Sequence, residues 1–418
     1  MEKILSLLGK SHSVYHAVAN MEEELKTAGY AQLEETKPFE LQKGGKYYVK
    51  RNGSSIIAFA IPKQGFDGFN LVATHNDSPS FALKPNPIIV RDGVTQLNVE
   101  PYGGMILYTW LDRPLSFAGR VYSKVGEEIK DTLVDVDEDI LVIPSLAIHM
   151  NRDVNHGYDW NAAKDMVPLW LDSAFEGDFA TYLKEKCGIE GEVLSHDLFL
   201  YVREQPRLVG EKKDLLLSPR LDDLSSAYAS LLAFLSCPEK EQGKMPVFAS
   251  FDNEEVGSLT AQGAFSDFLR VTLRRVAAAL GFGENQFHAA LANSMMLSAD
   301  NAHANHPNHL DKVDATTSVH LNGGIVLKHN AEQKYTTSGA SGAYVKALAL
   351  GLNQPIQEFT NRSDMRGGST LGNLSNAEVS FLAADIGIAQ LAMHSAVELC
   401  GVDDLQRMVD LLAAHYAK

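Results

Sequence analysis

An α/β architecture, a mixed sheet covered by helices and interrupted by an inserted β-rich segment, is predicted by three features of this sequence. Short strand-like runs, FNLVAT at 69–74 and VFASF at 247–251, alternate with helical periods at 224–235 and 271–280, the pattern of a largely parallel sheet packed between helices. Between about 85 and 206 the texture shifts to short alternating segments, PIIV at 87–90, GRVY at 119–122 and DILVI at 139–143, as expected of antiparallel strands. With 418 residues, 45% of them hydrophobic, the chain can form two or three domains or one large domain with an insertion. Residues 1–85 and 207–418 are therefore assigned to one discontinuous domain, and 86–206 to the insert.

Taken in order, residues 1–10 place Ile4, Leu7 and Leu8 on one side of an amphipathic helix. Two β-rich runs flank Asn52-Gly53, which tolerates the positive φ of a tight turn and so predicts a hairpin over 47–62. The run 69–74 reads as a central strand emptying into HNDSP, where Pro79 prevents simple continuation and leaves His75 at a strand end. The late apolar stretch Val379 to Leu399 contains Asp385, His394 and Glu398, too many charges for a bilayer span, and is expected to be a buried helix.

Composition narrows the function. Thirty-seven Lys and Arg against 53 Asp and Glu give a formal charge of −16, a field that repels phosphate backbones and anionic lipid, so neither nucleic acid nor a membrane is expected as partner. Cys187, Cys237 and Cys400 are too few and too scattered for a disulfide framework or a zinc knuckle. Without a secretory leader pattern at the amino end, a cytoplasmic location is expected. HExxH, GxSxG and GxxxxGK[ST] are all absent, which removes helix-borne single-zinc proteases, nucleophile-elbow hydrolases and P-loop enzymes.

What remains is a set of separated metal-ligand clusters: His75 and Asp77, Asp222-Asp223, Glu254-Glu255, Asp300 and His394. Two divalent ions can be held by such nitrogen and carboxylate donors if one carboxylate is shared. An economical assignment gives one ion His75, Asp222 and Asp300, and the other Asp222, Glu255 and His394. Asp223 is the alternative to Asp222. A water between the ions would be acidified, and Glu254, left uncoordinated, would carry its proton to the leaving amine. Neighbouring side chains on an extended segment diverge, which would let Glu255 reach metal and Glu254 reach water. Asp77, two residues past His75, would hold the second imidazole nitrogen, or else serve only as a turn former before Ser-Pro.

The motifs THNDSPSFALKP, SPRLDDLSSAYA, FDNEEVGSLTAQGA, SADNAHANHPN, RSDMRGGSTLG and QLAMHSAVE, in this order, resemble the aspartyl aminopeptidase family of metallopeptidases. The resemblance implies a dinuclear metallopeptidase core, zinc on His75, Asp222, Glu255, Asp300 and His394, and Glu254 as general base. It also implies an insert that serves dimerisation, assembly into a homododecamer with enclosed active sites, and peptide substrates whose free amino-terminal residue is acidic. Cobalt or manganese could replace zinc in such carboxylate-rich sites. For the substrate carboxylate the candidates are Lys328, in a stretch resembling the family's substrate-contacting segment, and Arg366, beside a glycine-rich turn. The family pattern also points to His303 as a substrate-side contact and to His149 as a group reaching a neighbouring subunit's site. A dinuclear deacylase or carboxypeptidase could use the same ligands. A silent assembly or cargo protein could keep the fold, although it would have no use for Glu254.

Overall fold

The computed structural model describes residues 1–171 and 177–418. Its main sheet has nine strands, in the order 31–33, 46–51, 55–60, 242–251, 65–75, 295–299, 382–387, 325–329, 356–360. The central strand Gly65–His75 pairs in parallel with Gln242–Phe251 and with Met295–Ala299. The strand Ile325–His329 runs antiparallel to Leu382–Gly387, so the sheet is mixed.

Both faces of this sheet are covered, which explains the nearly unbroken apolar runs. Side chains alternate between faces: Val72 and Phe248 join a core with the helices Leu221–Ser236 and Val402–Ala417. Leu71, Ala73 and Ala249 join the opposite core, with the helix Phe268–Ala279. Ile4, Leu7 and Leu8 of the N-terminal helix are buried in the first core, as their spacing predicts. The hairpin is also as expected, with Lys46–Arg51 paired to Ser55–Ala60 across Asn52 (φ 52°) and Gly53 (φ 65°).

The inserted β-rich part is a separate sheet of seven strands drawn from Ser80 to Val202. The strand Glu192–Val202 pairs with both Ser80–Arg91 and Leu115–Val125, curling the sheet around Phe81, Phe117, Leu198 and Trp170. A third sheet of five short strands includes Leu215–Ser218 and Glu398–Gly401, in which Ser218 stands opposite Glu398.

One expectation fails. Val379 to Leu399 is not a helix but the strands Leu382–Gly387 and Ala389–Leu391 followed by a turn in which Ala392 (φ 58°) and His394 (φ 64°) are left-handed. A continuous apolar run buried on two sides has no periodicity to separate strand from helix. Among the described residues no helix is long and apolar enough to cross a membrane.

Candidate metal centre

The carboxyl ends of the parallel strands converge on one edge, as they do in open α/β sheets. His75 is the last residue of its strand, and the register pairing Ser298 with Ala73 carries Asp300 to the level of His75. Phe251 pairs with His75, so the chain that follows also turns over this edge. Glu254–Val256 is one 3₁₀ turn, entered through left-handed Asn253 (φ 63°) and left through Gly257 (φ 100°). Glu254 and Glu255 are thus not on an extended segment. Their side chains are separated by the rotation of a tight turn.

Asp222 opens the helix Leu221–Ser236 in a non-helical conformation, and the Asp222–Asp223 peptide is cis. Its two oxygens face two histidines: Oδ1 is 3.2 Å from His75 Nε2, and Oδ2 is 3.5 Å from His394 Nε2. Asp300 Oδ1 lies 3.7 Å from His75 Nε2, and Glu255 Oε2 lies 3.4 Å from His394 Nε2. The ligand atoms of His75, Asp222 and Asp300 all fall within 4.8 Å of one another, as do those of Asp222, Glu255 and His394. A third group of the same tightness joins His75, Glu254 and Glu255. Asp223 faces elsewhere, accepting the His75 backbone N–H at 3.3 Å.

Both imidazoles are oriented from behind. His75 Nδ1 is 3.1 Å from the Asp77 carbonyl oxygen, and His394 Nδ1 is 2.7 Å from the carbonyl of Gly104 in the insert. A carbonyl only accepts, so each Nδ1 carries the proton and each Nε2 is left for a cation. Asp77 does more than the expected fixing of His75, to which its Oδ1 stands at 3.3 Å. Its carboxylate also accepts the backbone N–H groups of Glu254 and Glu255, each at 3.1 Å, and the Tyr102 hydroxyl at 2.7 Å.

The electrostatics are those of a site built for positive charge. Burial raises Glu255 well above the usual carboxylate range, with Asp222 adding to it. Burial also raises Glu254 to about 8, helped by Asp300, Asp77 and Asp222 against the opposing pull of His75. Burial disfavours a charged His394, yet Asp222 and Glu255 outweigh it and push the ring up to about 10. Asp222 Oδ1 and Glu255 Oε1 are buried with no hydrogen-bond partner. Buried acceptors of this kind carry a desolvation penalty that a cation offsets. Two carboxylate and imidazole triads sharing one aspartate fit a pair of divalent ions, by donor chemistry and by these orphaned oxygens.

The cleft over this centre has a volume of ≈ 130 Å³ and is lined by Lys328, His303, Tyr335, Phe359 and Thr370, among others. Lys328 is buried and donates to Asp300 Oδ2 at 3.3 Å and to the Asn301 carbonyl at 2.8 Å. His303 is exposed toward the opening, its ring 6.0 Å from Phe359. Arg366 is exposed on the loop whose Gly368, Ser369 and Thr370 do line the cleft, but Arg366 itself does not. His149 is exposed on a loop of the insert and is likewise absent from the cleft wall of its own chain.

The family model described as aminopeptidase I zinc metalloprotease (M18) matches residues 7–416. The chain belongs to the M18 family. A probable M18 family aminopeptidase 2 of Clostridium novyi is 40% identical, over 96% of this chain and 95% of the relative. Ape4, in a cryo-EM structure of its complex with Nbr1, superposes with a TM-score of 0.95 at 34% identity, over 100% of this chain and 85% of that one. The S. cerevisiae mApe1 dodecamer gives 0.84 at 27% identity, over 99% and 95%. This chain is therefore a zinc-dependent M18 metalloaminopeptidase.

Sequence reasoning missed one supporting residue of this M18 centre. Glu398, buried in the third sheet, accepts the Asp222 backbone N–H at 3.0 Å and the His394 N–H at 2.7 Å. One carboxylate thereby fixes the backbones of the shared aspartate and of a histidine. No side-chain motif announces it, since both contacts are to main chain; the only cue is a glutamate four residues past His394. Glu398→Gln retains one acceptor of the two, and is expected to weaken zinc retention or activity by roughly 10- to 100-fold. Titration with a competing chelator checks this, and unchanged zinc affinity together with unchanged turnover would remove Glu398 from the centre.

Proposed function

We propose that this M18 enzyme removes the amino-terminal residue of peptides, preferentially Asp or Glu, at a centre holding two zinc ions per subunit. The observation that carries the reading is the position of Asp222, with one oxygen toward each histidine. When bound, such a pair of ions polarises the scissile carbonyl and acidifies a water. The protein's own groups do the rest. Glu254 sits beside the ligands, takes the proton from water on its carboxylate and delivers it to the departing amine nitrogen. Asp77 holds the turn that aims Glu254, and the acidic lining of the cleft suits a free α-ammonium. A closed acidic end selects chain termini over chain interiors.

Lys328 supports the acidic preference. Ligation of Asp300 would draw that carboxylate's charge away from Lys328, leaving the ammonium available to a substrate carboxylate in the same cleft. Lys328→Gln is expected to reduce kcat/KM for aspartyl and glutamyl substrates by about 10- to 100-fold, the worth of a charged hydrogen bond, with little change for alanyl substrates. A panel of aminoacyl p-nitroanilides, run before and after chelation, measures both specificity and metal dependence. Equal losses across the panel would overturn the specificity role, and full activity after chelation would overturn the metal mechanism.

The mApe1 likeness supports assembly as a homododecamer of 45.7 kDa chains; dimerisation through the insert and work in the cytoplasm complete the proposal. In that arrangement His149, exposed on the insert, reaches a neighbouring site and His303 serves the substrate side, while Arg366, off the cleft wall, is left as a nearby cation without a substrate contact. His149→Ala or His303→Ala is expected to lower turnover with metal content unchanged. An unaltered rate in either variant refutes that residue's role.

A further inference from the structure

A second and larger cavity lies behind the metal centre. It measures ≈ 350 Å³ and is enclosed by the segment Ser11–Tyr15, the inserted strand at Phe199–Val202, and the rear of the turns that carry Asp77 and Asp222. Of the residues lining it, Asp222 alone also lines the catalytic cleft. Its volume falls in the range of small-molecule sites.

One wall carries Arg220, held with a left-handed backbone (φ 58°) ahead of the helix Leu221–Ser236. The guanidinium carbon is 5.9 Å from the Tyr201 ring centroid, and Nε is buried without a hydrogen-bond partner. Among the described residues no carboxylate pairs with it. The acids whose field it feels are Asp135 and Glu398, and both are already engaged. Asp135 accepts from His12 at 2.6 Å and from the Tyr201 hydroxyl at 2.7 Å. Glu398 accepts the two backbone N–H groups described above. On the same cavity lies Trp110, 4% exposed, whose indole N–H is also without a partner. Arg220 Nε–H and the Trp110 indole N–H, two buried donors without a protein partner on residues that line one chamber, would be satisfied by an acceptor from outside.

We propose that this chamber is a second ligand site, taking a small monocarboxylate whose carboxylate seats on the Arg220 guanidinium. Single charge is favoured over phosphate because Asp77, Asp222, Asp252 and Glu398 line the same chamber and repel a dianion. A free amino acid matches best, its ammonium suited to those acidic walls. The site is independent of which peptides the enzyme cleaves, since no cleft residue other than Asp222 is involved.

The metal-loaded full-length enzyme is titrated with glycine, with acetate and with chloride at matched ionic strength, following tryptophan fluorescence. Trp110, Trp160 and Trp170 all pack in the core of the insert, and of the three Trp110 is the one that lines the chamber. Glycine and acetate should give saturable changes, and chloride none; saturation by chloride alone would overturn the carboxylate assignment. Arg220→Gln should weaken the response at least tenfold, Arg220→Lys should keep part of it, and Trp110→Phe should silence it. A curve unchanged in Arg220→Gln, or a signal surviving in Trp110→Phe, would overturn the site. Should Arg220→Gln fail to fold, wild-type crystals grown without carboxylates and soaked in glycine decide. Density against the guanidinium is expected, and its absence would end the proposal.

Discussion

Replacing Glu254 with glutamine is expected to lower kcat by roughly 10²- to 10⁴-fold, the usual worth of a positioned proton carrier, with zinc content preserved. Glutamine keeps the shape and the hydrogen-bonding reach of the side chain but takes up no proton. The geometry makes this result informative, because Glu254 also belongs to a compact group with His75 and Glu255. A ligand role and a proton-carrier role therefore make different predictions for one substitution. Retained zinc with lost turnover assigns the proton carrier; lost zinc moves Glu254 into the ligand set. Burial and the acids Asp300, Asp77 and Asp222 raise Glu254 to about 8 when no cation is present. Bound cations act in the opposite direction, favouring the ionised form needed to accept a proton. The measurement pairs steady-state kinetics with elemental analysis of the same sample.

The parts of this site whose placement the sequence reveals most directly are those carried by strand ends. His75 and Asp300 follow buried strands whose apolar runs are readable without a structure, because a parallel strand covered on both faces has no polar residues to interrupt it. The turn after Phe251 was legible as a cluster of acids, but its 3₁₀ shape was not, and with it went the reason Asp77 matters. Asp77 works by accepting the backbone N–H groups of Glu254 and Glu255, contacts that depend on main-chain conformation and leave no trace in residue identity. Glu398 is hidden for the same cause. The stretch 379–399 reads as a helix in the sequence, yet forms strands, because burial on both sides erases the period that distinguishes the two. Lys328 is marked in the sequence only by family resemblance, and its neighbour Tyr335, whose ring centroid is 5.3 Å from the ammonium, by nothing at all.

Substitution of Asp222 should do more damage than substitution of any other ligand, and metal stoichiometry is where the difference shows. The two triads have no member in common except Asp222. Two dications held here would repel each other, and a carboxylate able to offer one oxygen to each would offset that repulsion. Asp222→Asn removes the charge and one good donor, so both ions should be weakened by more than roughly 100-fold, beyond the effect of altering an outer contact. His394→Ala should release only the ion it shares with Glu255, because the triad of His75 and Asp300 is left intact. After dialysis against submicromolar free zinc, elemental analysis should find two ions per subunit in wild type, one in His394→Ala and none in Asp222→Asn. The contact of the Asp222 backbone N–H to Glu398 does not involve the substituted side chain and is kept in the Asn variant. Retention of one full equivalent by Asp222→Asn would mean that the two sites are separate, and the shared-ligand account of the reaction would fall with it.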